Sequence, residues 1–306
     1  MLSKLQRALR AVPRLLKLDR RMEEVKINQG LILSQLQREA RRTHLWEYEF
    51  KVFSQWGEDG IIQHLVSHLN ISNRTFIEFG VEDFHESNCR FLMMKDRWSG
   101  FVIDGSPDNM QRLKSSYFFW QYQLACKTSF ITRDNVAALL EESGFQKDLG
   151  LLSVDIDGVD YHVLEALGAW RPAILIVEFN EVFGSTRPVS VPYDEQFVRS
   201  HKHSSNIYYG ANLPAFFHLA AARGYALVGI NGIGSNAFFV RRELLNEWVP
   251  EVSIDSCTRA ATFRESRGPQ GELTFLSGSS RRKAIADMPL IDVTNGATLT
   301  VGDLRD

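Results

Sequence analysis

Cysteine is what this chain has least of: three residues in 306 (Cys89, Cys126 and Cys257), far apart and with no C-x-x-C pair. An odd, scattered set supports neither a disulfide framework nor a structural zinc site, and it fits a reducing, cytoplasmic setting. Long apolar runs are missing too. No stretch of about 18 apolar residues offers a membrane span. Lys and Arg interrupt the N-terminus every three or four positions, so no apolar block of a secretory signal is expected there. The net charge of -2 gives no general pull toward nucleic acid, and none is expected as a partner. G-x-G-x-x-G, the main signature of dinucleotide binding, is also absent.

The near-zero charge is unevenly spread. Residues 1–42 hold eleven Lys/Arg against four Asp/Glu, a local +7 that leaves -9 for the rest. Residues 1–45 are expected to form a long helix. Apolar residues recur at Leu15, Leu18, Met22, Val25, Ile32 and Leu36, with Gln29 at the one polar position. Steps of three and four make a heptad seam, and a single polar seam residue fixes register, so a coiled coil and a homo-oligomer are expected. The other reading is a helix packed on its own domain. In the first turns Lys4, Arg7, Arg10, Arg14 and Lys17 interleave with leucines, a composition suited to peripheral contact with an anionic membrane.

Residues 46–250 alternate strand and helix. Apolar strands are predicted at 75–79, 100–104, 122–126, 151–156 and 173–178, with helices between them. That alternation predicts an α/β fold with a doubly wound, mostly parallel sheet and ligands beyond the strands' carboxyl ends. Strands at 225–229 and 237–240 flank a Gly/Asn-rich turn, which adds an antiparallel last strand to a seven-stranded sheet. Residues 251–306 lack periodicity and read as a C-terminal extension.

Acids end four of these strands. Glu78 precedes Gly80, where a missing Cβ lets the backbone approach a ligand, and Glu82 and Asp83 follow. Asp104 ends the second strand, 24 residues on, where an acid can accept two ribose hydroxyls; its other reading is a helix N-cap. Asp155, Asp157 and Asp160 crowd the end of the fourth strand, and Glu178 with Asn180 ends the fifth. Asp155, Asp157, Glu178 and Asn180 together suit a hard divalent cation, magnesium or manganese; helix capping is the competing reading. Among eight histidines, His162 follows the acid cluster and His203 sits in a polar loop before the closing strands. Either is a candidate general base, and Asp155 is a candidate for both catalysis and cofactor binding.

Six runs then combine in order: SQWGEDG (54–60), TFIEFGV (75–81), GFVIDG (100–105), LSVDIDG (152–158), IVEFN (176–180) and YYGANL (208–213). Together they resemble the FkbM-type branch of the class I methyltransferases, over about residues 50–245. The resemblance implies a Rossmann-like sheet that binds S-adenosylmethionine and methylates a hydroxyl, in related members often of sugars, glycans or natural-product precursors. It implies that Glu78, Gly80 and Asp83 line the methionine end and Asp104 the ribose. By the same likeness Thr128 to Ile131 lie by the adenine, and Gln55 and Glu58 close the pocket. The glycine-rich loop is thin, and the acids at 155, 157 and 178 with Asn180 look more like the metal-holding set of catechol-type O-methyltransferases. Two other functions remain open: a nicotinamide-dependent oxidoreductase, and a non-catalytic glycan-assembly scaffold with a degenerate cofactor site.

Overall fold

The computed structural model describes the backbone of residues 2–257, 262 and 264–304, and their side chains from residue 18 onward except Asp19. Seven strands form the central sheet: β1 (Thr75–Phe79), β2 (Ser99–Asp104), β3 (Leu124–Thr128), β4 (Leu151–Val154), β5 (Ile174–Glu178), β7 (Tyr225–Ile230) and β8 (Asn236–Arg241). Between β5 and β7 lies the two-residue strand β6 (Val189–Ser190). The sheet order is β3-β2-β1-β4-β5-β8-β7. The first five strands run parallel, and β8 is antiparallel to both of its neighbours. The doubly wound sheet with one reversed strand expected from the sequence is therefore present.

The inner strands are mostly apolar because both faces are covered, whereas the edge strand β3 buries only Leu124. Alternate side chains point to opposite faces, so Ile77, Ile103, Leu152 and Val177 meet one core while Phe76, Val102, Leu151 and Ile176 meet the other. Each such side chain contributes about 1.5–3 kcal/mol through burial. The helices α2 (Glu58–His68), α3 (Arg90–Asp96), α4 (Pro107–Ser115), α5 (Val136–Glu141), α6 (Asp160–Ala166), α7 (Arg199–Lys202) and α8 (Leu213–Ala222) fill the crossovers and flanks. Ser106 caps α4 by accepting from the Asn109 N–H, which leaves Asp104 free of that duty.

The long N-terminal helix, α1 (Leu2–Gln37), has two working faces. Its inner face lies on the body through Glu23, Ile27, Gly30 and Gln37. A Cβ at Gly30 would sit 2.6 Å from Phe91 and from Val52, so only glycine permits that approach. Glu23 meets the guanidinium of Arg90 at 2.8 Å, with Arg90 1% exposed between the rings of Phe53 and Phe118. The phenol of Tyr117 also donates to Glu23, and Gln37 donates to the Gly60 carbonyl at 2.8 Å. Removing one partner of such a buried pair costs about 3–5 kcal/mol, so the helix belongs to the domain rather than hanging from it. The outer face carries Leu18, Met22, Val25, Ile32 and Leu36, 47–72% exposed. Leu15 and the basic side chains from Lys4 to Lys17 lie outside the described residues. No helix among the described residues is long and apolar enough to cross a membrane.

The segment read as an extension joins the body. After residue 264 it forms α9 (Ser279–Ala284), β9 (Pro289–Asp292) and β10 (Thr298–Thr300), and β9 pairs with β6 in a second, three-stranded sheet. Leu290 and Val301 are fully buried in the main core.

Candidate active site

The strand order reverses at β1, which has β2 on one side and β4 on the other. Crevices open at such switch points beyond the carboxyl ends of the strands. Here the crevice is a cleft of about 240 Å³ whose lining includes Gly80, Glu82, Asp104, Phe130 and Asp155. Gly80 has φ +67°, and a Cβ there would lie 1.8 Å from the Asp155 carbonyl oxygen. Any other residue would drive the loops after β1 and β4 apart. Asp104 accepts from the backbone N–H of Glu82 (2.9 Å) and of Ser106 (2.8 Å), one on each carboxylate oxygen. Asn109 adds a longer contact at 3.2 Å. Asp104, 8% exposed, stands in the cleft wall. Ser129, Phe130 and Ile131 complete that wall; Thr128 ends β3 and does not line it.

Asp155 also lines a second cleft of about 500 Å³, together with Glu178, Arg199 and Tyr209. Carboxylate oxygens of Asp155, Asp157 and Glu178 lie within 4.8 Å of one another. Burial pushes the carboxyls of Asp155 and Glu178 well above the ordinary range, helped by repulsion from Asp157 and Asp160 on Asp155 and from Asp155 and Asp157 on Glu178. Their carboxylates face each other across the ends of β4 and β5, so each is close to a second acid. Tyr209 donates to Glu178 at 3.3 Å, and burial keeps its phenol protonated. The guanidinium of Arg199 pairs with Asp157 and stacks 3.9 Å over the Tyr209 ring. Asp160 points back into its own loop, accepting from the N–H groups of Ile156 (2.7 Å) and Gly158 (2.9 Å). Burial pushes its carboxyl up to about 6.

Several expected site residues serve the scaffold instead. Glu78 is 4% exposed and accepts from Ser87 Oγ and from the N–H groups of Asn88 and Cys89, so it folds the loop after β1 rather than facing the cleft. Glu58, fully buried, accepts from Asn231, Asn236 and the Trp56 N–H, and so ties the loop carrying Gln55 to the β7–β8 turn. Gln55 itself lines the second cleft. Asp83 pairs with His85 and Arg112 away from both clefts. Asn180, 2% exposed, is engaged with its own surroundings: its oxygen accepts from the Val182 N–H, its amide donates to the carbonyls of Ile207 and Tyr209, and it lines neither cleft.

Neither histidine reaches the acids. His162 is buried in α6 with Nε2 2.9 Å from the Val191 carbonyl, and burial lowers its basicity. His203 bonds Ser205 through Nδ1 at 2.7 Å and lines neither cleft. Residue type alone offered no way to see these orientations. Arg199 and Tyr209 went unnoticed for the converse reason, since their partners Asp157 and Glu178 lie dozens of residues away in sequence.

No family model matches the chain, and no curated protein does. Several solved structures are similar to it at low identity. The N-terminal domain of EvdMO1 with SAH bound is 9% identical, with TM-score 0.34, over 54% of this chain and 72% of that one. A putative O-methyltransferase from Klebsiella pneumoniae is 12% identical, with TM-score 0.37, over 69% and 78%. The DszA carbon methyltransferase is 12% identical, with TM-score 0.39, over 62% of this chain and 53% of that one. The chain therefore matches little more than half of the DszA structure.

Proposed function

We propose that the protein is an S-adenosylmethionine-dependent methyltransferase of the FkbM-type branch, acting on a hydroxyl of a sugar, glycan or related precursor. The observation that carries this reading is the position of Asp155, on the boundary of two clefts at the carboxyl ends of a sheet ordered 3-2-1-4-5 with a reversed strand. The residues present suit the cofactor. Gly80 lets the loops after β1 and β4 close together beside the cleft, Asp104 presents carboxylate to a ribose, and Phe130, 50% exposed, offers a face to the adenine. When bound, S-adenosylmethionine supplies an electrophilic methyl group on a cationic sulfonium. The acids at 155, 157 and 178 favour a cation at that junction.

The chain's own contribution is orientation and proton transfer. An acceptor hydroxyl in the second cleft meets the Asp155–Glu178 pair, whose ionised member accepts its proton. Tyr209 holds Glu178 by hydrogen bonding, and Arg199 restrains Asp157. A second reading puts magnesium or manganese among Asp155, Asp157 and Glu178, which converge closely enough to share an ion. There the ion would compete with Arg199 for Asp157.

Calorimetry tests the cofactor site. S-adenosylmethionine is expected to bind and NAD to fail, and Asp104→Asn to weaken S-adenosylmethionine by about 1.5–3 kcal/mol, the scale of a charge-assisted hydrogen bond. Unchanged affinity in a folded variant would remove the ribose assignment.

The acid pair sets the pH profile once an intact-mass screen of candidate glycans for a methyl-sized gain supplies an acceptor. A raised pKa keeps the pair protonated to higher pH, so the base form appears only as pH rises. Activity is expected to climb with pH through a value above the ordinary carboxylate range. Asp155→Asn should abolish that limb and cost about 10²–10⁴-fold in rate. Exhaustive chelation should leave the rate unchanged; loss restored by magnesium would establish the metal reading instead.

The outer seam of α1 suits a second copy of the same helix. Its side chains repeat in steps of three and four, the period of a coiled coil, and Gln29 is the single polar residue in the series. The protein is expected to sediment as a dimer or small oligomer, and Val25→Asp with Ile32→Asp to yield monomers that still bind cofactor. An unchanged mass would sink the pairing. Flotation with anionic vesicles tests the basic first turns separately, and salt should weaken any binding.

A further inference from the structure

One wall of the second cleft comes from residues 264–276, through Arg264, Glu265, Leu273 and Phe275, beyond the stretch that the family resemblance covers. This segment is a tight reversal. Arg267 bridges to Leu273, Gly268 N–H donates to the Glu272 carbonyl at 2.8 Å, and Gly271 takes a left-handed turn at φ +83°. Its base is firmly held. Ser266 is fully buried and its Oγ accepts from the Leu276 N–H at 2.7 Å. Arg267 N–H donates to the Ser205 carbonyl at 3.1 Å, and Arg281, 3% exposed, donates to the Glu265 carbonyl.

From that base Leu273 and Phe275 reach the cleft while staying 49% and 54% exposed. Trp56, 42% exposed, lines the same cleft from the loop before α2. Outside α1, five large apolar side chains among the described residues are exposed: Trp56, Trp120, Phe130, Leu273 and Phe275. Four of the five line the two clefts, so apolar exposure is concentrated where ligands would sit.

The remaining groups limit what those faces can take. Glu178 Oε2 is buried with no hydrogen-bond partner, and Arg264 and Glu265 stand in the wall. A wholly apolar ligand would strip water from Arg264 and Glu265 without replacing its hydrogen bonds. The cleft carries Arg199 and Arg264 beside Asp155, Glu178 and Glu265, so donors and acceptors are mixed along its wall with no single sign of charge. A neutral ring with flat apolar faces and hydroxyls at its edge suits that mixture, since a hydroxyl both donates and accepts.

We propose that residues 264–276 form the acceptor-selecting wall of this protein, holding a hydroxylated ring against Phe275, Leu273 and Trp56 with a hydroxyl directed at Asp155 and Glu178. The hydroxyl's fate rests on the methyl-transfer reading: its oxygen bonds to the methyl carbon, the carbon–sulfur bond breaks to leave a neutral thioether, and the proton passes to the carboxylate pair. The binding claim does not depend on that step.

The full chain saturated with S-adenosylhomocysteine can be titrated with methyl hexosides and followed by saturation-transfer NMR. At least one hexoside is expected to bind, and Phe275→Ala and Trp56→Ala each to weaken it about tenfold, the scale of losing one aromatic face. Affinity for S-adenosylhomocysteine should stay within about twofold, since neither residue lines the first cleft. Both side chains are substantially exposed, so the truncations spare the core. Failure of every hexoside to bind, or binding that survives both variants, overturns the proposal. If the wild-type protein does not bind S-adenosylhomocysteine, the methyl-transfer reading fails instead, and the same titration without it still decides the wall.

Discussion

Between the loops after β1 and β4 there is room for a backbone but not for a side chain. The missing Cβ of Gly80 lets the Asp155 carbonyl close in, and a Cβ there would stand 1.8 Å from that oxygen. Because the two loops share this contact, Asp155 is held where both clefts meet. Asp104 adds a tie from the neighbouring strand by accepting the Glu82 N–H, which fixes the turn that follows Gly80. The site is built from backbone held at strand ends, the kind of support that keeps reacting groups in place without a moving part.

That placement concentrates negative charge, and the surrounding residues answer it in different ways. Asp160 spends its charge on two backbone N–H groups and shapes its own loop. Asp157 is answered by Arg199, which is stacked on Tyr209. Asp155 and Glu178 receive less help, and burial raises both above the ordinary range. Carboxyls with raised proton affinity at the wall of an open cleft are better placed to accept a proton than a histidine held by a backbone carbonyl, as His162 is.

Much of the scaffold was legible in the residues. Continuous apolar runs such as the one ending at Glu178 predicted parallel strands covered on both faces, and the Gly/Asn-rich turn at 231–236 predicted the reversal that places β8 against β5. Acids at strand ends marked the end of the sheet where both clefts open. Their division of labour was not legible: Glu78 and Asp155 occupy similar places in the pattern, yet one is enclosed by residues 87–89 and the other opens on two clefts. The heptad seam of α1 was readable, but the opposite face, anchored by the Glu23–Arg90 pair, depends on a partner 67 residues away. The wall at 264–276 has no periodicity to announce it and becomes visible only through its place beside Asp155.

Cofactor in the first cleft and acceptor in the second would meet at Asp155, and a crystal structure of the full chain with S-adenosylhomocysteine tests that meeting point most directly. The account predicts the ribose hydroxyls on Asp104, the adenine beside Ser129 to Ile131, and the sulfur at the boundary of the two clefts near Asp155. A ligand bound elsewhere, or one that leaves Asp104 without contact and Asp155 remote from the sulfur, would contradict it.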